Sequence, residues 1–330
     1  MDLETAQQDF QALLDRVAPC AVSEFLCWIQ DSFTTSSPSA AATQDAEATL
    51  QTMIKELRTQ LPSSAVLPSA EPLFLCDEAV KTEEGLNPDV TIHVDSFLFD
   101  DEADLDQLIA DGRVKSRNCC RDCGSHATEP LTIVSFSFSP TELRYIFTSL
   151  LPPEMLAGKT LLNVGSRIGA VLYAAHAISP NVGRLLSLEW DANLCQAQMR
   201  ALQSFHMTEK AAVLHLAHVE TEAVLQADFQ TAHVFIISSA FRFCVPIQVQ
   251  LKVWRAIALY AQSGSVLLTN PGLAELTCHL QLQQDQGDSK LQDWTQRLQE
   301  VPTLHLAAKF ANTDKELYED LTNICVYQMK

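Results

Sequence analysis

Apolar residues recur at helical spacing in the first part of the chain. From Leu3 to Phe33 they fall three and four positions apart, and the pattern breaks near Pro19, which predicts a pair of amphipathic helices. The small polar segment from Thr34 to Thr43 predicts a linker, and a further helix is predicted from about Gln44 to Leu61. We therefore expect a helical N-terminal region over residues 1–61.

The helical spacing of apolar residues stops after Leu61. Four prolines interrupt the stretch from Pro62 to Pro88, so we expect an irregular linker over residues 62–94. A short helix with acidic residues in its first turn is predicted to end near Ile109, and alternating residues from Leu131 to Phe138 predict a strand. Residues 95–138 are thus expected to hold an acidic helix and a small cysteine-containing β segment.

Strand and helix patterns alternate from Ser139 to the end of the chain. This part opens with a capping box, Ser139-Pro140-Thr141-Glu142, with proline at the first helical position. The predicted strands are Thr160 to Val164, Arg184 to Leu188, Ala212 to Leu216, His233 to Ile237, Ser265 to Thr269, Thr303 to Phe310 and Thr322 to Met329. The predicted helices are Ile168 to Ile178, Ala192 to Phe205, Glu220 to Leu225 and Gln248 to Gln262. Apolar strands separated by such helices predict an α/β domain over residues 139–330, with a doubly wound, mostly parallel, seven-stranded sheet.

The sequence also bears on the cellular compartment of the protein. The chain of 330 residues has no apolar stretch near the roughly 20 residues that cross a bilayer. Its N-terminus, Met1-Asp2-Leu3-Glu4, has neither the basic nor the apolar region of a signal peptide. We therefore expect a cytoplasmic or nuclear protein without a membrane segment.

The formal net charge of −19 is concentrated in the N-terminal part of the chain. Residues 1–111 hold 4 Lys plus Arg against 22 Asp plus Glu, a net of −18, and residues 112–330 hold 18 against 19, a net of −1. Because so acidic a region is repelled by phosphate backbones, we do not expect nucleic acid as its partner. A basic protein partner fits this charge, and solubility alone is the alternative explanation.

Three of the ten cysteines cluster, at Cys119, Cys120 and Cys123. The spacing Cys120-x-x-Cys123, followed by glycine, has the zinc-knuckle form, in which two thiolates reach one metal ion. The side chains that could complete a tetrahedral site are Cys119, His126, Cys76 and His93. Structural zinc and a loop of reduced cysteines both stay open as interpretations.

A glycine-containing turn links the first predicted strand of the α/β domain to its helix, between Val164 and Gly169. Glycine lets the backbone approach a ligand closely, and the start of the helix offers free N–H groups. The second strand ends at Glu189, 24 positions after Gly165, where an acid can accept both hydroxyls of a ribose. These features together predict a site for a nucleoside-containing ligand.

These residues, the strand-helix alternation and the terminal strand pair resemble the class I S-adenosylmethionine-dependent methyltransferase family over residues 139–330. The run Val-Gly-Ser-x-Ile-Gly and the later Ser-Ser-Ala-Phe are most similar to its non-SET histone lysine methyltransferase branch. The resemblance implies a Rossmann-like transferase that uses S-adenosylmethionine to methylate a protein or small-molecule acceptor. The positions that it assigns to the cofactor are Asn163, Gly165, Ser166, Gly169, Glu189, His218 and Ser238.

The same positions also depart from the family's pattern. Asn163 stands where the family has an acid, and Arg167 where it has a middle glycine. After the third strand, Ala217-His218 replaces an acid that contacts adenine, and Ser238-Ser239 replaces an asparagine pair. Methyl transfer works largely by aligning the nucleophile with the methyl group, so the sequence assigns no catalytic residue.

The resemblance further implies an antiparallel strand at the end of the sheet. We predict that Ile324 to Met329 is this strand, lying between Val266 to Thr269 and Leu304 to Phe310. A dinucleotide-binding dehydrogenase sheet would instead stay parallel.

Two functions stay open at this point. The first is an active methyltransferase whose acidic N-terminal half covers or selects the substrate, which the retention of Gly165, Gly169 and Glu189 favours. The second is a catalytically inactive, methyltransferase-like protein-interaction module, which Arg167 and the missing acids favour.

Overall fold

The structure is a computed structural model of the chain, and it describes residues 40–60, 91–100, 102–111, 132–218, 222–281 and 297–330. The second of two compact units, Glu47–Lys330, contains every described strand. The predicted helix pair before Phe33, residues 61–90 and the cysteine cluster lie outside the described residues. The predicted domain boundaries therefore stay predictions.

The described strands form a short parallel pair and one large sheet. The pair consists of β1 (Thr91–His93) and β2 (Thr132–Val134). In the part of the chain that the structure describes, seven strands form the large sheet. They are β3 (Thr160–Val164), β4 (Arg184–Glu189), β5 (Ala211–His215), β6 (Val234–Ser238), β7 (Val266–Asn270), β8 (Leu298–Val301) and β9 (Cys325–Met329).

The order of the large sheet is β5-β4-β3-β6-β7-β9-β8. Strands β3 to β7 pair in parallel, whereas β9 runs antiparallel to both of its neighbours, with Val326 opposite Leu268 and Val301. The α/β sheet and its antiparallel last strand are thereby confirmed.

Helices cover both faces of the sheet. They are α1 (Ala40–Gln60), α2 (Glu102–Ala110), α3 (Pro140–Tyr145), α4 (Pro153–Leu156), α5 (Ala170–Ile178), α6 (Ala192–Ser204), α7 (Glu222–Thr231), α8 (Ser239–Cys244), α9 (Ile247–Tyr260), α10 (Leu273–Gln281), α11 (Leu304–Ala311) and α12 (Lys315–Thr322). Successive strand residues alternate between two cores, so that Leu161 packs with α5 and α6 while Leu162 packs with α7 and α9. This double burial explains the near-continuous apolar strands.

The strand order reverses between β3 and β6. The chain moves outward from β3 to β4 and β5, and then returns so that β6 pairs with the other edge of β3. In doubly wound sheets the crevice at the carboxyl ends of such strands is the usual ligand site. We refer to the space between the β3–α5 turn and α8, which follows β6, as the switch-point crevice.

One predicted strand is wrong. Thr303 to Phe310 was expected to pair beside the last strand, but Leu304–Ala311 is helix α11, and β8 (Leu298–Val301) takes the outer position. The apolar alternation there is short, whereas Ala307 and Ala311 are buried four positions apart in a segment of good helix formers.

Candidate functional site

The β3–α5 turn has the backbone of a glycine loop. Gly165 and Gly169 have φ angles of +69° and +92°, and the N–H groups of Gly165 and Ser166 donate to the carbonyl of Leu188 at 2.9 and 3.2 Å. Arg167 also has a positive φ, +51°, although it carries a long side chain. The middle position of the loop therefore keeps a glycine-like conformation without a glycine.

Glu189 lies beside this turn but binds the chain's own backbone. One carboxylate oxygen accepts the N–H of Arg167 at 2.5 Å, and the other accepts those of Trp190 and Asp191 at 2.8 and 2.9 Å. The residue is 4% exposed. The predicted ribose acid thus ties the end of β4 to the β3–α5 turn.

A buried polar network lies under the turn. The hydroxyls of Ser166 and Ser187 are 2.6 Å apart, and Ser187 donates to Oε1 of Gln198 at 2.6 Å. The amide of Gln198 donates to Ser166 Oγ at 3.0 Å and to the carbonyl of Arg167. Sequence reasoning missed Gln198, although a polar residue on the apolar stripe of α6, between Leu194 and Ala201, was a signal.

The side chain of Arg167 is buried, at 3% exposure. Its Nε lies 3.6 Å from Oδ2 of Asp95, its Nη2 3.2 Å from Nδ1 of His93, and its Nη1 donates to Sγ of Cys244 at 3.4 Å. Burial, and then the nearby guanidinium, hold the pKa of His93 well below its usual range, so the ring stays neutral. Since Cys244 ends α8, the arginine reaches across the switch-point crevice.

Helix α8 also approaches the turn from the other side. A Cβ placed on Gly165 would lie 2.8 Å from Cα of Phe241, which rules out any larger residue there. The space that a bare glycine offers to a ligand is filled by this chain's own helix.

The remaining predicted site residues are spread out. Asn163 is buried and donates from Nδ2 to the carbonyl of Ile236 at 3.1 Å, so it links β3 to β6. Ser238 is buried at the end of β6, whereas His218 is exposed and its ring packs edge-on against His215. The structure therefore brings Gly165, Ser166, Gly169 and Glu189 together, with His218 outside this group.

A cavity of about 390 Å³ opens beyond the carboxyl ends of β6 and β7. Its described lining is rich in hydroxyls, amides and carboxylates: Ser96, Asp100, Ser135, Phe136, Ser137, Phe138, Ser139, Glu142, Ser238, Ser239, Asn270, Leu317, Asp320 and Asn323. No lysine or arginine occurs among these residues. We refer to it as the edge cavity.

Glu142 is the most perturbed acid of the edge cavity. It accepts the N–H of Ser139 at 2.7 Å, which completes the predicted capping box, and the amide of Asn270 at 3.0 Å. Burial raises its pKa from 4.5 to about 7, with smaller contributions from Asp320 and Asp100, while the hydrogen bonds of Ser139 act in the opposite direction.

The residues of the switch-point crevice do not fit S-adenosylmethionine as they are arranged. Both oxygens of Glu189 are taken by backbone donors, Gly165 is covered by Phe241, and Arg167 lies buried across the opening. The cationic guanidinium would also lie close to a cationic sulfonium. By contrast, the edge cavity stays open.

The zinc hypothesis stays a prediction, because Cys119, Cys120, Cys123 and His126 lie outside the described residues. His93, one of the possible further ligands, accepts the N–H of Phe136 at 2.9 Å and faces Arg167. Within the described ranges, no group of three or more His, Cys, Asp or Glu side chains could hold a metal ion. Likewise, none of the described helices is long and apolar enough to span a membrane.

Comparison with known proteins gives distant likenesses. No protein-family model matches the chain, and no curated protein matches it. An O-methyltransferase from Bacillus cereus in complex with SAH is 14% identical with a TM-score of 0.35, over 50% of this chain and 74% of that one. The O-methyltransferase from Streptomyces achromogenes involved in tomaymycin synthesis is 12% identical with a TM-score of 0.35, over 59% and 82%.

A third solved structure is matched over a smaller share of its length. Precorrin-6y C5,15-methyltransferase from Geobacter metallireducens is 16% identical with a TM-score of 0.30, over 43% of this chain and 66% of that one. The fold assignment rests on the sheet itself, whose order is β5-β4-β3-β6-β7-β9-β8. The sheet is doubly wound and mostly parallel, and its last strand, β9, is antiparallel and lies beside β7, as the sequence predicts for this fold. This chain has the fold of the class I S-adenosylmethionine-dependent methyltransferases.

Proposed function

We propose that this chain is a non-catalytic methyltransferase-fold module that binds a protein partner at the carboxyl edge of its sheet. The observation that carries the proposal is the buried side chain of Arg167, which crosses the crevice where a cofactor would bind. An active methyltransferase is the alternative, and the retained Gly165, Gly169 and Glu189 are what favour it.

The hydrogen bonds of Glu189 support the non-catalytic function. A ribose would have to displace backbone N–H groups from a carboxylate that is nearly inaccessible to solvent. Leaving these buried donors without acceptors costs about 1–3 kcal/mol each. Cofactor binding would have to supply this free energy before any net affinity appeared.

The edge cavity supports the second part of the proposal. Asp100, Glu142 and Asp320 supply carboxyl groups, and the surrounding serines and asparagines supply further acceptors. Such a lining suits a lysine or arginine side chain of a partner protein. The net charge of −19 would attract the same kind of partner.

Calorimetric titration of the full chain with S-adenosylhomocysteine tests the first part. We expect no binding up to a ligand concentration of about 1 mM, which corresponds to a binding free energy weaker than about −4 kcal/mol. A Kd in the micromolar range would overturn the proposal and favour an active methyltransferase.

A short lysine-rich peptide tests the second part, with a glutamate-rich peptide of the same length as the negative control. We expect the double substitution Asp100→Asn with Asp320→Asn to weaken binding of the lysine-rich peptide severalfold. The matched control removes two exposed acids elsewhere, Glu154→Gln with Glu209→Gln, and should weaken it less. Equal effects of the two double substitutions would contradict the edge cavity as the binding site.

A further inference from the structure

Arg167 adopts an unfavourable backbone conformation that its surroundings enforce. A positive φ of +51° is rare for a residue with a long side chain, and it persists only where neighbouring contacts determine it. Here Glu189 accepts the N–H of Arg167, and Gln198 donates to its carbonyl. From this backbone position the side chain reaches Asp95, His93 and Cys244.

The carboxylate that pairs with the guanidinium, that of Asp95, is held in place by hydrogen bonds. Asp95 accepts the N–H of Phe97 at 3.1 Å through Oδ1 and the hydroxyl of Ser137 at 2.7 Å through Oδ2. Its side chain is 2% exposed and that of Arg167 is 4% exposed, so the ion pair is shielded from water. A buried cation needs such a partner, because desolvation without one is strongly unfavourable.

The ion pair joins parts of the chain that are far apart in sequence. His93 ends β1, which pairs with β2, and Asp95 follows two residues later. Arg167 belongs to the β3–α5 turn, and Cys244 ends α8. The guanidinium thus links residues 93–95 to both sides of the point where the strand order reverses.

We propose that Arg167 is a built-in plug, which fills the switch-point crevice in place of a cofactor and fastens residues 93–95 over the carboxyl edge of the sheet. This inference rests on the proposed function, and it adds the residue pair that keeps the crevice closed. It assigns to Arg167 and Asp95 the part of the closed state that two substitutions can remove.

A double-mutant cycle tests the fastening. Asp95→Asn should lower the melting temperature because it leaves the guanidinium buried without its carboxylate. Adding Arg167→Gly should recover much of this loss, because it removes the uncompensated charge and places glycine at a positive φ. The matched control is the more exposed pair of Arg58 and Asp104, 2.6 Å apart, whose cycle should show a much smaller coupling. A coupling no larger than that of the control would overturn the plug.

Binding of S-adenosylhomocysteine tests whether the Arg167 side chain excludes a cofactor from the crevice. The folded double variant with Arg167→Gly and Asp95→Asn should bind it at least about tenfold more tightly than the unmodified chain does. If neither protein binds, the plug is overturned while the non-catalytic function stands. If the unmodified chain already binds in the micromolar range, the proposed function and the plug both fail.

Amide hydrogen exchange gives a readout that does not depend on the ligand. In Asp95→Asn, the amides of Val94, Phe97 and Phe136 should exchange faster than in the unmodified chain, while those of β6 and β7 should be unchanged. Unaltered exchange at the first three amides would contradict the fastening role.

Discussion

Glu189 and Gln198 use their hydrogen-bonding capacity on the chain itself. Glu189 accepts three backbone N–H groups, and Gln198 bridges Ser166, Ser187 and the carbonyl of Arg167. A hydrogen bond to a charged group contributes about 1.5–3 kcal/mol net, more than a neutral one. The acid at the end of β4 therefore stabilises the turn whether or not a ligand binds there.

Glu189→Gln should destabilise the folded protein. The substitution replaces one charged acceptor oxygen with an NH₂ group that faces backbone donors, so we expect a loss of about 2 kcal/mol in the free energy of unfolding. Denaturant unfolding would measure it, with the exposed Glu209→Gln as the control. Identical midpoints for the two variants would contradict a stabilising role for Glu189.

Glu142 should make stability depend on pH. Its pKa is raised from 4.5 in the unfolded chain to about 7 in the fold, chiefly by burial, so the folded state binds the proton more tightly. The stabilising contribution is complete below about pH 4.5 and is lost as the pH rises to about 7.

Comparison with Glu142→Gln isolates this effect, because glutamine resembles the protonated acid and can still form a capping box. Between pH 4.5 and 7, the unmodified protein should lose on the order of 1–2 kcal/mol relative to the variant, which allows for partial solvent screening. Parallel pH profiles of the two proteins would show that Glu142 titrates with its ordinary pKa.

At the residue level, the sequence predicted which residues lie at the β3–α5 turn better than it predicted what their side chains contact. The glycines and Glu189 were found from their spacing and lie together, as expected. The direction of the Arg167 side chain was not predictable, because Asp95 lies 72 positions earlier and only the tertiary fold brings it near. The backbone N–H groups that donate to Glu189 could not be predicted from the sequence either, because almost every residue type carries an N–H group.

At the level of elements, burial on both faces made the central strands easy to predict. Strands β3, β4, β6 and β7 lie at or within one residue of their expected bounds, because near-continuous apolar runs have few other structures available. The outer part of the sheet was harder. Strand β8 is mostly exposed, so its sequence shows little apolar pattern, and the apolar residues of α11 resembled a strand instead.

Deletion from Ile324 onward should unfold the α/β domain. Strand β9 lies between β7 and β8, and Ile324, Val326 and Met329 are buried. Burying each such side chain contributes about 1.5–3 kcal/mol, so the three together are comparable with the 5–15 kcal/mol of a typical domain. Circular dichroism should show no cooperative thermal transition for the deletion, whereas removal of the exposed Lys330 alone should leave the transition in place. A cooperative transition in the longer deletion would contradict a structural role for β9.

On the scale of the whole molecule, two electrostatic effects oppose each other. The chain carries a net charge of −19, which disfavours the compact state through self-repulsion. Ion pairs on the surface act in the stabilising direction. Three such pairs are Arg58 with Asp104 at 2.6 Å, Arg184 with Asp228 at 3.3 Å and Arg144 with Glu47 at 4.0 Å. Exposed pairs contribute only about 0.2–1 kcal/mol each, so we expect the repulsion to dominate.

Added salt should therefore stabilise this protein. Raising the ionic strength from about 0.01 M to about 0.15 M shortens the Debye length from about 30 Å to about 8 Å, which screens repulsion between distant acids more than attraction within a contact pair. We expect the melting temperature to rise over this range, and to rise equally in NaCl and KCl because screening does not depend on the identity of the cation. A rise with only one salt would indicate a specific cation site. A fall in both would mean that the surface ion pairs outweigh the net charge of −19, and the attraction of a basic partner could then not be argued from that charge.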